Sequence, residues 1–257
     1  MRIWTLIENT ACGPDFAFEH GLSLYIETDG TRILFDAGQS GAFVDNARLL
    51  GVDLRRVDYA VLSHGHYDHG GGLAEFLRIN DHAPIYLSCH AFDGHYNAAG
   101  KNIGLNPELA NSPRLVYVKD SHALAPGAVI YNPDNLPPAR TDGLKRLEKG
   151  ALADEDFRHE QYLLIREGER LFCFSGCAHR GVVGIAQYFR PDVLVGGFHF
   201  KSLPADSPAL IQAAQALMAL PTTYYTGHCT GAEQFATLKK YMGMRLQALH
   251  SGTVLEL

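Results

Sequence analysis

Apolar residues in this chain occur mostly in short runs bounded by glycine and polar turns, a pattern typical of buried strands. Two neighbouring runs flank Asp29-Gly30, and a second pair flanks residues 167–169, so each pair predicts a β-hairpin. The predicted strands are at residues 2–7, 22–28, 31–36, 59–63, 85–87, 115–118, 128–131, 162–166, 170–175, 193–196, 222–226 and 253–257.

Helix signals follow each of the two strand-rich halves of the chain. Ser207 precedes Pro208 and can cap a helix, and Pro221 ends that helix. Because each set of strands is followed by helices, we expect an α/β fold in which two sheets pack on each other with helices outside. The predicted helices are at residues 41–50, 73–78, 182–189, 208–220 and 232–242.

The length of 257 residues suits a single large α/β unit, and no repeat or linker interrupts the chain. We therefore expect one domain over residues 1–257. Two segments, 97–114 and 132–157, are longer than ordinary connections between elements, and we expect them to cover a site.

Composition and charge restrict the function. Hydrophobic residues make up 46% and charged residues 19%, with a net charge of −6, so the chain has no electrostatic footprint for nucleic acid or for an anionic membrane. The longest apolar stretch, 209–220, is broken by two glutamines and is too short to span a bilayer. No basic segment followed by an apolar run stands at the start, and we expect a cytoplasmic protein. Five scattered cysteines without a CxxC pair argue against a disulfide scaffold.

Thirteen histidines are an unusual number, and three of them fall in one short motif, SHGHYDHGGG, at residues 63–72. His64 and His66 lie two residues apart on an extended loop, so their rings can point the same way. Asp68 and His69 follow at the start of a helix. Imidazoles with a carboxylate form a ligand set that zinc and its neighbours accept, so the motif predicts a metal site rather than a histidine-rich surface loop.

The HxHxDH pattern, preceded by LFDAG, resembles the signature of the metallo-β-lactamase fold superfamily. The stretches EHGLSLYIE, SHGHYDHGGGL, FSGCAHRGVVGI, GGFHF and GHCTG are similar to the subgroup named after the archaeal 7,8-dihydropterin-6-methyl-4-(β-D-ribofuranosyl)aminobenzene-5′-phosphate synthase. The resemblance covers nearly the whole chain. It implies a four-layer αββα sandwich and one or two divalent metal ions, zinc first, with manganese or iron as alternatives.

The resemblance also implies the ligands. One ion would be held by His64, His66 and His179, and a second by Asp68, His69 and His228. Both His179 and His228 follow short apolar strands and stand in glycine-containing turns, where an imidazole can also be a hydrogen-bonded structural group.

Many members of the superfamily carry a bridging aspartate after the strand that precedes the C-terminal region. We match that turn to residues 175–177, which contain no carboxylate. Cys177 is then either an additional thiolate ligand or a buried inert thiol. Without a bridging carboxylate, we expect the second ion to bind more weakly than the first.

Further residues are expected to support the site. Asp36, in LFDAG, would hold the ligand imidazoles without binding metal. Asp68 would orient the nucleophile as well as bind metal, and His199 or His20 would protonate the leaving group. His199 could equally ligate metal or be held by backbone groups. Arg180 and Tyr67 would contact the substrate.

The remaining polar residues receive a structural interpretation. Other basic residues could bind an anion, although a solvated face is the ordinary explanation for Lys101, Arg140, Lys145 and Arg146. The histidines without a glycine-rich strand-end context are expected to be surface or structural groups, namely His82, His90, His95, His122, His159 and His250.

These expectations favour a metal-dependent hydrolase that attacks a small anionic substrate, phosphorylated or heterocyclic, with a metal-bound hydroxide. The alternative is a pterin-type synthase or transferase that condenses two small molecules at the same site. Less favoured are a nucleic-acid phosphodiesterase, which the negative charge disfavours, and a non-catalytic binding module. A di-iron oxygen-reducing site would carry a carboxylate in place of His66. The expected partner is a small molecule, not nucleic acid or a membrane, and the oligomeric state is open, a homodimer included.

Overall fold

Two large sheets dominate the structure, a computed structural model that describes residues 1–133, 136 and 142–257. Arg140 and part of the predicted loop at 132–157 lie outside the described residues. The strands of the described part are β1 (Arg2–Ile7), β2 (Ser23–Thr28), β3 (Thr31–Phe35), β4 (Tyr59–Val61), β5 (Ile85–Ser88), β6 (His95–Tyr96), β7 (Leu115–Val118), β8 (Ser121–Ala125), β9 (Ala128–Tyr131), β10 (Lys145–Glu148), β11 (Ala151–Asp154), β12 (Tyr162–Glu167), β13 (Arg170–Ser175), β14 (Val193–Gly196), β15 (Thr223–Thr226), β16 (Leu246–Ala248) and β17 (Val254–Glu256).

Within the described residues, each large sheet has seven strands. The first has the order β17-β1-β2-β3-β4-β5-β7 and the second the order β16-β15-β14-β13-β12-β9-β8, while β11-β10-β6 form a small third sheet. The described helices are α1 (Ala42–Leu49), α2 (Tyr67–Gly70), α3 (Leu73–Ile79), α4 (Val182–Phe189), α5 (Pro208–Met218) and α6 (Ala232–Met242), and none of them is long and apolar enough to cross a membrane.

Alternation of side chains along the strands builds the layers. On β3, Phe35 points into the core between the sheets, where its ring lies 5.9 Å from that of Phe174 on β13. Its neighbour Leu34 faces the other way and packs in the core that includes Phe43 of α1 and Phe76 of α3. A strand repeats its facing direction every second residue, so one sheet contributes to two cores.

The second sheet is covered in the same way on its outer face. Cys173 and Tyr224 from β13 and β15 pack in one buried cluster with Val182 of α4, Leu210 of α5 and Leu238 of α6. Helices therefore lie outside both sheets, and the expected four-layer αββα sandwich is confirmed.

The predicted elements agree with the structure where an apolar run is clear. The hairpin about Asp29-Gly30 forms, with Thr28 paired to Thr31, and the hairpin of β12 and β13 pairs Glu167 with Arg170. Strands β6, β8, β10, β11 and β16 were not predicted. Charged or small residues interrupt their apolar pattern, and β10 and β11 are largely exposed. The long segment 97–114 contains a short 3₁₀ helix at Pro107–Asn111, which Asn106 caps.

Parallel strands bring the chemistry together. β3, β4 and β5 run parallel in the first sheet, and β13, β14, β15 and β16 run parallel in the second. The carboxyl ends of parallel strands meet at one edge of a sheet, so the segments that follow β3, β4, β13, β14 and β15 converge at one edge of the sandwich.

Candidate metal centre

The segment after β4 carries the histidine motif, and the turn after β3 supports it. Asp36 accepts a hydrogen bond from the backbone N–H of Ser63 at 2.7 Å and another from the Ser63 hydroxyl at 2.7 Å. A Cβ on Gly65 would stand 2.2 Å from the carbonyl oxygen of Ala91, so only glycine lets the loop pass this close to its neighbour. The loop is therefore fixed before any ligand binds.

Three imidazoles form the first group of donors. The ligand nitrogens of His64, His66 and His179 all lie within 4.8 Å of one another, and Nε2 of His64 is 3.3 Å from Nε2 of His179. Burial and the neighbouring imidazoles hold the pKa of each of these histidines well below the ordinary 6.5. They are neutral at physiological pH and present lone pairs, which is the form that binds metal.

The second group consists of Asp68, His69 and His228. Nε2 of His69 is 3.2 Å from Nε2 of His228, which lies 3.4 Å from Oδ2 of Asp68. Burial raises the pKa of Asp68, but hydrogen bonds from His20 and His228 outweigh burial and hold the pKa well below its ordinary value. Burial disfavours charge on His69 as well, but Asp36 outweighs burial and raises the pKa of His69 to about 9.

Hydrogen bonds on the far side of the rings decide which nitrogen faces the centre. The Ser63 hydroxyl gives its proton to Asp36 and accepts from Nδ1 of His64 at 2.9 Å. His69 donates from Nδ1 to Asp36 at 2.7 Å, and His228 donates from Nδ1 to Asn9 at 2.9 Å. With Nδ1 engaged in this way, His64 turns Nε2 towards His179, and His69 and His228 turn Nε2 towards each other.

The donors fit a metal ion. Nε2 of His66 is buried and has no hydrogen-bond partner, which is costly unless something else satisfies it. A divalent cation between the rings would satisfy this atom and the facing Nε2 atoms of His64 and His179. A second ion in the other group would displace the proton from His69. The structure places Asp36 where the sequence expects a supporting carboxylate.

Two thiols border the second group. Sγ of Cys177 lies 3.1 Å from Nε2 of His69, and Sγ of Cys229 lies 3.5 Å from the carbonyl oxygen of Cys177. Burial raises the pKa of Cys229, but hydrogen bonds from Cys177 and His199 outweigh burial and bring the pKa well below its ordinary value. Burial and the neighbouring Cys229 raise the pKa of Cys177. Sequence reasoning missed Cys229, although it stands in the GHCTG stretch directly after His228.

A cavity of about 330 Å³ opens onto the two groups. Its wall combines ligand candidates with one lysine and two aliphatic side chains. The lining residues are His20, His66, Tyr67, Asp68, Ile103, Leu144, Cys177, His179, His199, Lys201, Ser202, His228 and Cys229.

The two histidines expected to move protons both border this cavity. Nε2 of His20 is 3.3 Å from Oδ2 of Asp68, and its side chain is 42% exposed. The ring of His199 lies 4.2 Å from the ring of His179, and its Nε2 is 3.3 Å from Oδ2 of Asp142. Burial lowers the pKa of His199, but Cys229 and Asp142 outweigh burial and raise it.

A second turn, besides residues 175–177, ends beside the centre without a carboxylate. The strand directly before β15 is β14, and β14 lies between β13 and β15 in the sheet. Its turn is Gly197-Phe198-His199, so His199, rather than Cys177, stands at the end of the strand that precedes the C-terminal histidine. That turn also contains no carboxylate.

Arg180 is placed differently from the expectation that it contacts substrate. Its guanidinium donates to the carbonyl oxygens of Phe157, Pro133 and Leu136, and the side chain is buried. Arg180 is not one of the described residues that line the cavity. Arg180 therefore holds the backbone at Pro133, Leu136 and Phe157 in place. The cation that does line the cavity is Lys201, which the sequence analysis did not single out.

His95 and His159 are buried beside the site, so neither is the surface histidine that the sequence allowed. His159 accepts a hydrogen bond at Nδ1 from the backbone N–H of Gly65 at 2.9 Å, and its ring stacks on that of His95 at 3.8 Å. His95 in turn bonds Glu155 at 2.8 Å. His159 holds the HxHxDH loop at Gly65, and one ring nitrogen from each of His66, His95 and His159 lies within 4.8 Å of the others, so both histidines extend the first group of donors. Only contacts made in the fold reveal this.

Fold and site together define a class of protein: an αββα sandwich with a histidine-rich candidate metal centre at the carboxyl ends of its parallel strands. The sequence profile of the metallo-beta-lactamase superfamily matches residues 17–228, and the chain belongs to that superfamily.

Individual relatives agree with this assignment. The chain is 29% identical over 285 aligned positions to a 7,8-dihydropterin-6-methyl-4-(beta-D-ribofuranosyl)-aminobenzene-5'-phosphate synthase of Methanocaldococcus jannaschii, with 100% of this chain and 96% of the relative covered. A crystal structure described as a metal-dependent hydrolase of the beta-lactamase superfamily superposes with a TM-score of 0.86 at 28% identity, covering 100% of this chain and 99% of that one. Zn²⁺-bound PqqB of Methylobacterium extorquens shares the fold, with a TM-score of 0.59 at 14% identity and full coverage of both chains.

Proposed function

We propose that this protein is a metal-dependent hydrolase that acts on a small anionic substrate, phosphorylated or heterocyclic. One observation carries the proposal, the convergence of six buried donors beside a single cavity. The proposed metal ligands are His64, His66, Asp68, His69, His179 and His228. A cytoplasmic location is part of the proposal, because all five cysteines are free, as is usual in a reducing compartment.

A divalent ion held by these donors would polarise the substrate and lower the pKa of a water molecule. Zinc suits a set dominated by imidazole, and manganese or iron could bind the same donors. The imidazoles of the first group are neutral and the carboxylate of Asp68 is ionised, so these donors need not lose a proton before they bind the ion.

Side chains at the proposed centre would orient the attacking water and transfer the protons of the reaction. Asp68 is held ionised between His20 and His228, so it can accept a hydrogen bond from the attacking water and orient it. His20 is exposed enough to give a proton to the leaving group and to recover one from solvent. His199 is a second donor, because its raised pKa keeps it protonated nearer neutral pH.

Substrate contacts would come from the wall of the cavity. Lys201 supplies a positive charge that suits an anionic group, and Tyr67 offers a phenol and an exposed ring face. The apolar side chains of Ile103 and Leu144 suit a flat or heterocyclic portion. These contacts support a small molecule rather than a polymer as the partner.

The second candidate is a synthase that condenses two small molecules. Full-length similarity to the archaeal pterin-related synthase favours it. A second cavity of about 380 Å³ shares Lys201 and His228 with the first, which offers room for a second substrate next to the proposed centre.

The test is an activity screen of the zinc-, manganese- and iron-loaded protein on phosphomonoesters, phosphodiesters, lactones and thioesters. A parallel reaction offers a 7,8-dihydropterin activated at its 6-methyl carbon together with a ribofuranosyl-aminobenzene 5'-phosphate. Turnover that disappears on chelation and returns with metal supports the proposal, and the arm that reacts distinguishes hydrolase from synthase.

The matched variants are Asp68→Ala and Asp81→Ala. Asp68 stands in the proposed centre, whereas the side chain of Asp81 is fully exposed on the surface. We expect Asp68→Ala to abolish turnover and Asp81→Ala to leave it unchanged. Activity that survives both chelation and Asp68→Ala would place the chemistry elsewhere in the protein.

A further inference from the structure

Cys177 and Cys229 meet at the candidate centre although they lie on different strand ends. Cys177 follows β13 and Cys229 follows β15. The two sulfur atoms and a ring nitrogen of His228 all lie within 4.8 Å of one another, and Cys177 is also grouped with His64 and His69. Both cysteines line the cavity that several of the proposed ligands also line.

The backbone next to both cysteines shows close packing and uncommon φ angles. A Cβ on Gly197 would stand 2.3 Å from Sγ of Cys229, so glycine at the end of β14 makes the room that this sulfur occupies. Ala178 and His228, each next to one of the cysteines, adopt positive φ angles of 52° and 48°. Non-glycine residues rarely hold this conformation, and they do so mainly where a site requires it.

A packing role accounts poorly for this pair. Cys173 shows what a buried packing cysteine looks like in this chain, because its neighbours are the apolar side chains under α4, α5 and α6. Cys177 instead contacts an imidazole nitrogen of His69 at 3.1 Å. Thiols that lie against imidazole nitrogens are placed as metal ligands are placed.

We propose that Cys177 and Cys229 both bind the second ion as thiolates, together with His228, and so take the role that a bridging carboxylate would have. Each thiol loses its proton to solvent as its sulfur–metal bond forms. The second position would then select a thiophilic divalent cation such as zinc or cadmium over manganese or magnesium. This inference rests on the proposed metal centre but does not depend on the reaction.

Cobalt(II) is the probe, because thiolate ligation gives it an intense near-ultraviolet charge-transfer band that imidazole and carboxylate ligands do not produce. Metal-free full-length protein, kept reduced, is titrated with cobalt while absorption and bound cobalt are both measured. We expect two ions per chain, with the charge-transfer band appearing in the step that fills the second position.

Three variants locate the sulfur ligands. We expect Cys177→Ser and Cys229→Ser each to lower the band by roughly half, and the double variant to remove it while one cobalt per chain remains bound. Cys89→Ser is the matched control, because Cys89 is an exposed free thiol, and its band should equal that of the wild type.

The outcomes separate this inference from the proposed function. Absence of cobalt binding by the wild-type protein would overturn the metal centre itself. Two bound cobalt ions without a charge-transfer band in the wild type would overturn only the thiolate ligation, and this result does not depend on whether a variant folds. A band that persists in the folded double variant would likewise contradict the assignment.

Discussion

Replacement of Asp36 by asparagine tests the electrostatic basis of the candidate centre. Oδ2 of Asp36 accepts from Nδ1 of His69 at 2.7 Å and from the Ser63 hydroxyl at 2.7 Å, and the carboxyl group is buried. Asparagine keeps the shape but removes the negative charge. Burial lowers the pKa of His69, but the charge and hydrogen bond of Asp36, with Asp68 and Cys229, outweigh burial and raise the pKa from 6.5 to about 9. Without the charge of Asp36, burial should prevail and the variant should lose that rise.

The consequence for the metal-free protein is a change in the pH dependence of stability. The folded protein keeps a proton on His69 that the unfolded chain releases above pH 6.5, so this group's contribution is complete below pH 6.5 and is lost as the pH rises through 9. A shift of this size corresponds to about 3 kcal/mol of unfolding free energy. Other groups titrate in the same range, so the comparison isolates His69: we expect the wild type to lose about that amount more than Asp36→Asn between these pH values.

Urea unfolding of the metal-free protein at a series of pH values measures the effect. Asp81→Asn is the control, because that side chain is fully exposed and should leave the pH dependence as it is. Metal affinity offers a second measurement, since loss of a group that supports a ligand imidazole typically weakens binding by about 10- to 100-fold. Equal pH slopes in the wild type and Asp36→Asn would refute the reasoning.

Four further predictions follow from the geometry. His228→Ala should remove the second ion and leave the first, as counted by elemental analysis; loss of both would contradict the division of ligands. His20→Ala should lower turnover at unchanged metal content, and an unchanged rate would exclude it as the proton donor. Lys201→Ala should raise KM for an anionic substrate more than it lowers kcat. Arg180→Ala should lower the free energy of unfolding by about 1–3 kcal/mol, because buried carbonyl groups lose their donor, and a change in KM alone would restore Arg180 to the substrate site.

Local patterns in the sequence were sufficient for the strands with a clear apolar run and for the candidate ligands within the HxHxDH motif. The hairpin about Asp29-Gly30 depends on a two-residue turn, and the grouping of His64 and His66 depends on spacing along one loop. Both are short-range features that the chain specifies by itself. The likeness to a known family then indicated His179 and His228, which no local pattern joins to the motif.

Contacts between distant segments decided the rest. Cys229 enters the centre only because β13, β14 and β15 lie side by side, and the role of Gly197 is visible only when the sulfur is in place. Arg180 has the charge that suits an anionic substrate, but its buried guanidinium donates its hydrogen bonds to backbone carbonyl groups. Residue type and spacing do not reveal hydrogen bonds between segments that are distant in the sequence.

The central claim is that the histidine-rich cluster is a metal centre, and the metal content of the purified protein tests it most directly. We expect wild-type protein to carry one or two transition-metal ions per chain by elemental analysis. The double variant His64→Ala/His66→Ala should lose tight binding, while the matched double variant His82→Ala/His122→Ala, which alters histidines outside the cluster, should retain it. Metal content that is unchanged in His64→Ala/His66→Ala would contradict the account.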